Sequence, residues 1–417
     1  MAKAALEVAD ILRRHLDDYP YPLSNGQARA FRDIQICRTA VLGGNRKRCC
    51  RCSYEQISYN SCCNRHCPKC QSGQRARWTE KQLKQLLPVH YFHLVFTVPD
   101  ELNCLVAGNQ TLFYNILFQA TNLTLTTIAA DPKHLGAKIG FLAVLHTWGQ
   151  TLQRHPHLHC IVPGGGMAPD GLSWVETKKD FFLPVHVLGA FFRNRFLELL
   201  NKAYQKGQLS FFGETEKLAQ AETFKAYMRP LKEKKWVVYS QPPFGGPDLV
   251  VKYLARYTHR VAISNQRILK LSEGRVTFSY KDYRDGKNKK MTLQAQEFIR
   301  RFSQHILPLG FRKIRYFGTM ALANRKRDWT LARLLIGLAN PDTKVSISTD
   351  EVFESWLSHS PKICPHCKLE SLEVVEEFPT LAEVYRNLKM GASYSRRVML
   401  AVVEQSKKVP ARKRGPP

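Results

Sequence analysis

The run Arg154-His155-Pro156-His157-Leu158-His159-Cys160-Ile161-Val162 sets two histidines on either side of one leucine. On a strand, side chains alternate between faces, so His157 and His159 point the same way while Leu158 points into the core. Two imidazoles side by side on a buried strand make half of a site for a divalent ion. A catalytic ion needs a third protein ligand. His146 ends the preceding expected strand and could come opposite His157 or His159 by antiparallel pairing, with Gln150, His155 and His259 as alternatives. Farther along, Tyr253-Leu254-Ala255-Arg256-Tyr257 would place two phenols on one helix face at i and i+4. Paired histidines with paired tyrosines suit metal-assisted, tyrosine-mediated nicking of DNA. The scissile phosphate would be polarised by Mg²⁺ or Mn²⁺, and attack by a tyrosine oxygen would leave a 5′-phosphotyrosine and a free 3′-OH. The covalent link conserves the energy of the phosphodiester, so rejoining needs no ATP, and a second tyrosine permits a second transfer. Arg256 and Arg260 stand where they could steady the phosphate.

A second set of ligand-type residues lies near the N-terminus. Cys49-x-x-Cys52 and Cys67-Pro68-Lys69-Cys70 form a CxxC pair with fourteen residues between. Two such turns complete a zinc tetrahedron, so Cys49, Cys52, Cys67 and Cys70 are the expected ligands of a structural Zn²⁺. Cys62 and His66 are further zinc candidates, and Cys37 and Cys63 could also replace a ligand or hold a second ion. Residues 37–78 carry nine Lys/Arg against one carboxylate, Glu55. This charge predicts a metal-stapled surface that contacts DNA, with Arg65 and Lys69 among its contacts. A further CxxC, Cys364-Pro365-His366-Cys367, has no obvious partner pair and reads either as a surface turn or as a metal knuckle.

The whole chain supports a polyanionic partner. Its 417 residues hold 63 Lys+Arg against 34 Asp+Glu, a net charge of +29, with an ordinary hydrophobic content of 44%. Such charge bears little on fold but points to nucleic acid. No stretch reaches the roughly 18 to 20 apolar residues of a membrane span, and no signal-peptide core stands at the N-terminus. Twelve cysteines clustered in a long chain of this kind read as metal ligands in a reducing cytosol. The expected location is therefore cytoplasmic, in contact with a bacterial nucleoid.

Periodicity predicts short helices at 4–17 and 25–36, a helix at 76–87, and a buried strand at 91–98. A helix at 110–131 precedes strands at 138–147 and 157–163, the second ended by Gly164-Gly165-Gly166 as a turn. An amphipathic helix at 187–205, a strand at 236–240 and the tyrosine helix at 248–258 follow. Residues 261–263, 267–271 and 275–280 read as strands of an antiparallel sheet, before a basic helix at 293–305. Beyond about residue 340 the pattern thins, and the basic tail 407–414 has the composition of a disordered segment. The fold class is α+β. Its expected parts are N-terminal helices with a zinc module at 1–87, a catalytic domain at 88–336 and a C-terminal extension at 337–417.

Four segments together resemble a known family. Cys62-Cys63-Asn64-Arg65-His66-Cys67-Pro68-Lys69-Cys70-Gln71, His93-Leu94-Val95-Phe96-Thr97-Val98-Pro99, His146-Thr147-Trp148-Gly149-Gln150 with His155-Pro156-His157-Leu158-His159, and Tyr253-Leu254-Ala255-Arg256-Tyr257-Thr258-His259-Arg260 are similar to the HUH-type, two-tyrosine transposases of IS91-like insertion sequences. The resemblance runs from about residue 5 to 335. It implies an HUH core of antiparallel sheet flanked by helices, metal ligation by His157 and His159, and nucleophilic roles for Tyr253 and Tyr257. It also implies rolling-circle transposition through single-stranded DNA, with recognition of the element's ends. Where family members commonly carry Arg after the first cysteine of the ten-residue run, this chain has Cys63. A plasmid relaxase or replication initiator would use the same chemistry on another DNA site. A non-catalytic zinc-dependent regulator would leave the His and Tyr pairs without a use.

Overall fold

The computed structural model describes residues 6–70, 78, 86–178, 182–241, 260–337 and 362–389. Its strands are β1 (Gly44–Cys49), β2 (Glu55–Tyr59), β3 (Tyr91–Thr97), β4 (Gly140–Trp148), β5 (Arg154–Pro163), β6 (Gly165–Met167), β7 (Trp174–Glu176), β8 (Val238–Gln241), β9 (Ile268–Ser272), β10 (Arg275–Lys281), β11 (Asn288–Gln294), β12 (Ile314–Gly318) and β13 (Leu372–Phe378). Five of them form the central sheet, in the order β12-β4-β5-β3-β8, with every neighbouring pair antiparallel.

The two faces of this sheet differ as strand alternation requires. Phe92, Leu94 and Phe96 of β3, Phe141, Ala143 and Leu145 of β4, and Leu158, Cys160 and Val162 of β5 pack into the main core. The helices Asn103–Ala130 and Val185–Gln205 cover that face, through residues such as Phe113, Leu117, Phe192 and Phe196. The alternate residues Tyr91, Leu142, Val144 and Ile161 form a smaller apolar cluster on the opposite face. His93, His146, His157 and His159 continue the rows of that second face. A buried hydrophobic layer therefore stands directly behind the histidines.

A second core joins the N-terminal helices to residues 262–306. Helices Val8–His15 and Asn25–Ile36 bury Ile11, Leu12, Phe31 and Ile34 against Ile263, Val276, Phe278, Phe298 and Phe302. Apart from Ile263, which precedes the sheet, these partners belong to the β9–β11 meander and the helix Ala295–Ser303. The helix Asn25–Ile36 begins with a capping box, in which Ser24 Oγ accepts Gln27 N–H at 3.3 Å and Gln27 Oε1 accepts Ser24 N–H at 2.9 Å. Helices this short gain most of their stability from such packing, so they dock on a sheet from the far side of the chain. Residues on both sides of position 87 contribute to this second core. A third sheet, β13-β1-β2, brings β13 from the expected C-terminal extension alongside the N-terminal module, with Cys49 opposite Leu372.

Several elements depart from the sequence expectation. The helix expected at 110–131 begins earlier, at Asn103. Residues 261–263 form a bend rather than a strand, with Ala262 and Ile263 turned into the second core. The glycine run continues into strand β6, which pairs with β7. A Cβ on Gly165 would lie 2.5 Å from Trp174 Nε1 and one on Gly166 2.7 Å from Lys138 O, so close packing, not turn formation, requires glycine there. The tyrosine helix at 248–258 lies outside the described residues, as does nearly all of the helix expected at 76–87 and the whole tail at 407–414.

Candidate functional site

Antiparallel pairing of β4 with β5 sets His146 directly opposite His157, and Val144 opposite His159. The ring nitrogens of His146, His157 and His159 all approach within 4.8 Å of one another. His146 and His159 are buried, at 2% and 7% exposure, and His157 is half-buried at the rim. The Nε2 atoms of His157 and His159 lie 3.1 Å apart. Of the alternative third ligands, Gln150 donates from Nε2 to Tyr283 Oη at 2.8 Å, and His155 sits 3.7 Å from the Asp100 carboxylate. His259 lies outside the described residues.

The hydrogen-bond partners decide which nitrogens carry protons. His157 Nδ1 is 2.6 Å from the His155 carbonyl oxygen. A carbonyl only accepts, so Nδ1 is the donor and Nε2 of the neutral ring is a bare lone pair. His159 Nδ1 lies 2.8 Å from His93 Nε2, and His93 Nδ1 lies 3.2 Å from Gln241 Oε1. With His93 donating to that amide oxygen, its Nε2 accepts the His159 Nδ1–H, so Nε2 is the His159 nitrogen turned toward His157. Burial, then neighbouring charges including His155 and Arg260, hold His157 down at about 3, and burial foremost keeps His159 well below its ordinary value. Three imidazoles whose ring nitrogens converge within 4.8 Å, two of them 3.1 Å apart, suit a cation between them. The donor set therefore fits a divalent metal. His93, placed on β3 by the apolar strand pattern but given no role by it, and Gln241 on β8 orient His159 from behind. Their signal in the sequence was only a polar residue inside one expected strand, His93, and another one residue past the end of a second, Gln241.

Trp148 stacks on His146, with ring centroids 4.7 Å apart. The exposed Arg260 is near enough for its charge to depress both His157 and His159, so a cationic group stands beside the triad. Tyr253, Tyr257 and Arg256 lie outside the described residues. Arg65 and Lys69, expected to face DNA, are turned inward. The Arg65 guanidinium donates to the carbonyls of Pro308 at 2.8 Å, Leu307 at 3.4 Å and Phe311, so its donors clamp the 307–311 loop. Lys69 pairs with Glu7 and donates to the Cys37 carbonyl at 3.3 Å.

The cysteines divide differently from the expected Cys49, Cys52, Cys67, Cys70 set. Cys67 and Cys70 join Cys37 and Cys62, while Cys49 and Cys52 join Cys364 and Cys367. The reason is the course of the strands: β1 and β2 form a hairpin that carries Cys49 and Cys52 to its tip, beside β13. The end of helix Asn25–Ile36 instead delivers Cys37 to the turn that holds Cys67 and Cys70. In this first cluster Cys70 Sγ lies 3.4 Å from Cys37 Sγ and 3.5 Å from Cys62 Sγ. Four sulfurs bound to zinc at ~2.3 Å would stand ~3.8 Å apart, close to what is seen. Hydrogen bonds among the sulfurs push Cys37 and Cys70 down and Cys62 and Cys67 up, because so many thiolates cannot share this space without a cation. His66 stays outside the cluster: its Nε2 accepts from Leu307 N–H and Arg65 Nε–H, both at 3.3 Å.

Comparison with known proteins fits this arrangement. The family model described as "Putative transposase" matches residues 140–328, and one described as "Transposase zinc-binding domain" matches residues 11–98. A Sinorhizobium fredii protein named "Putative transposase y4qJ" is 48% identical over 387 residues, covering 91% of this chain and 97% of that protein. The chain belongs to the IS91 family of transposases. The transposase for insertion sequence element IS801 from Pseudomonas savastanoi pv. phaseolicola is 29% identical over 354 residues, 81% of this chain and 82% of that protein. No solved structure matches. The transposase holds Zn²⁺ in its N-terminal module, and its substrate is DNA. Its histidine triad lies in the first matched span, whereas His93 lies near the end of the zinc-binding span. Cys364 and Cys367 lie outside both. No helix among the described residues is long and apolar enough to cross a membrane.

Proposed function

We propose that this transposase nicks and rejoins single-stranded DNA at insertion-sequence ends through a 5′-phosphotyrosine, and so drives rolling-circle transposition. The observation that carries this reading is the convergence of His146, His157 and His159 from two neighbouring strands, one ring nitrogen of each lying within 4.8 Å of the others. His146, His157 and His159 would hold Mg²⁺ or Mn²⁺. Three imidazoles suit Mn²⁺ better than Mg²⁺, which prefers oxygen ligands. When bound, such an ion offsets negative charge that builds on the phosphate oxygens.

The remaining work falls to side chains. A phenolic oxygen of Tyr253 or Tyr257 loses its proton and attacks phosphorus. The new O–P bond forms as the bond to the 3′ oxygen breaks, and that oxygen gains a proton as it leaves. The Arg260 guanidinium faces the same phosphate and attracts it to the triad. His93 and Gln241 hold His159 in the tautomer whose Nε2 lone pair faces the site. With two tyrosines, one strand end stays covalently held while the second phenol attacks the next phosphate.

The test mixes full-length protein, Mn²⁺ and labelled single-stranded DNA bearing the element's end, and looks for an adduct that survives denaturation. The expected adduct depends on metal, persists in Tyr253→Phe and in Tyr257→Phe, and vanishes in the double variant. Its loss in one single variant alone would mean a single-tyrosine mechanism. No adduct from zinc-loaded protein on several candidate ends would reject the nickase reading.

A further inference from the structure

The cysteines at 49, 52, 364 and 367 sit in two copies of one turn. In the first, Cys49 N–H donates to Tyr54 O at 2.8 Å and Ser53 N–H donates to Cys49 O at 3.1 Å. In the second, Cys364 N–H donates to Leu369 O and Lys368 N–H donates to Cys364 O, both at 2.8 Å. The residue after each closing cysteine, Ser53 and Lys368, takes a left-handed conformation, with φ of 56° and 63°. Neither is glycine, so each position carries a backbone strain that an ordinary surface turn would have no reason to bear twice.

The turns aim donors at sulfur. The backbone amides of Arg51 and Cys52 each lie 3.3 Å from Cys49 Sγ, and Ser371 Oγ lies 3.0 Å from it. Between the two turns, Cys49 Sγ is 3.6 Å from Cys367 Sγ and Cys52 Sγ is 3.7 Å from Cys364 Sγ. A disulfide would need ~2.05 Å, whereas a tetrahedral zinc thiolate site needs ~3.8 Å.

We propose that Cys49, Cys52, Cys364 and Cys367 hold a second structural zinc ion, which staples the C-terminal segment of the chain onto the N-terminal module. Two ligands come from the tip of the β1–β2 hairpin and two from the turn that leads into β13. The pairing of β1 with β13 continues the link beyond the metal. The catalytic sheet is then an insertion between two halves of one zinc-bound unit, and β13 with the helix Leu381–Lys389 belongs to that unit rather than to a separate extension. Closing so long a loop is feasible because its entropic cost grows only with the logarithm of length.

Native mass spectrometry of the full-length protein would count the ions. The expected result is two zinc ions per chain, and one in a Cys364→Ser/Cys367→Ser variant. One zinc in the unmodified protein, or two retained in the variant, would overturn the proposal. Should that variant fail to fold, alkylation of the unmodified protein decides. The exposed Cys50 and Cys104 react at once, while Cys364 and Cys367 stay protected with Cys49 and Cys52 until one chelator step releases all four. Immediate reaction of Cys364 and Cys367 would overturn it equally. Neither readout depends on nicking, so the staple can fail while the proposed chemistry stands, and the reverse.

Discussion

The histidine site and the cysteine sites stand in opposite relation to the fold around them. The triad rides on β4 and β5, with Leu158, Cys160 and Leu145 packed behind it in the main core. There the sheet makes the site, and the ligands would keep their places without an ion. Around Cys49 and Cys364 the buried apolar residues among those described are few: those two cysteines and Leu372, with Cys52 and Cys367 packed against them. There the ion must make much of the fold. Three ligands on strands, one of them at the rim, leave room for a substrate, whereas four sulfurs closed around an ion leave none.

The largest effects expected would come from exchanging ligands at the two kinds of site. His157→Ala should lower the nicking rate by about 10³-fold, the scale of removing metal-based charge stabilisation. The same change should move Tm by about 2 °C or less, since the hydrophobic layer behind it is untouched. Cys67→Ser should do the reverse to stability, lowering Tm by about 10 °C through loss of structural zinc. Thermal melts of both variants, with zinc content measured alongside, check the contrast. Equal destabilisation by the two changes would break the distinction drawn here.

A smaller effect should follow from the residue behind the triad. His93→Phe removes the acceptor for His159 Nδ1–H, and should weaken Mn²⁺ binding by roughly 10- to 100-fold. Saturating Mn²⁺ should then restore most of the nicking rate. If the rate stayed low at any metal concentration, His93 would be doing more than orienting its neighbour.

The smallest effect concerns pH. His305 is buried beside the site, hydrogen-bonded to Thr147 Oγ1 and the Leu152 carbonyl, and burial holds it down at about 4. Its folded value lies below the unfolded ~6.5, so the unfolded chain binds the proton more readily between those limits. The stability is fully present above 6.5 and is lost as pH falls toward 4, by ~2 kcal/mol at pH 5 for this one group. A His305→Gln variant should show a shallower fall in Tm between pH 7 and 5 than the unmodified protein. Parallel slopes would mean that acid acts elsewhere, for instance by stripping zinc from its thiolates.

Much of the site was legible because it depends on local periodicity. Alternation alone put His157 and His159 on one face with Leu158 behind, and the apolar run at 91–98 announced β3. CxxC spacing announced the zinc turns at Cys49 and Cys67, whereas Cys364 and Cys367 had no partner in view and read equally as a surface turn. The inward turn of Arg65 and Lys69 was not legible. Both lie in a stretch rich in positive charge, and nothing local reveals that Glu7 or the carbonyls of Pro308 and Phe311 would claim them.

The sequence by itself determined which side chains share a face, where metal-binding turns form and that the chain carries +29 for a polyanionic partner. These follow from backbone geometry and charge within a few residues. Only the tertiary structure decided that His146 stands opposite His157, that His93 backs His159, and that Cys49 and Cys52 meet Cys364 and Cys367 rather than Cys67 and Cys70. Such choices rest on strand register and on cores shared between distant segments. The loop-closure cost separating a near partner from a far one is too small to read from spacing.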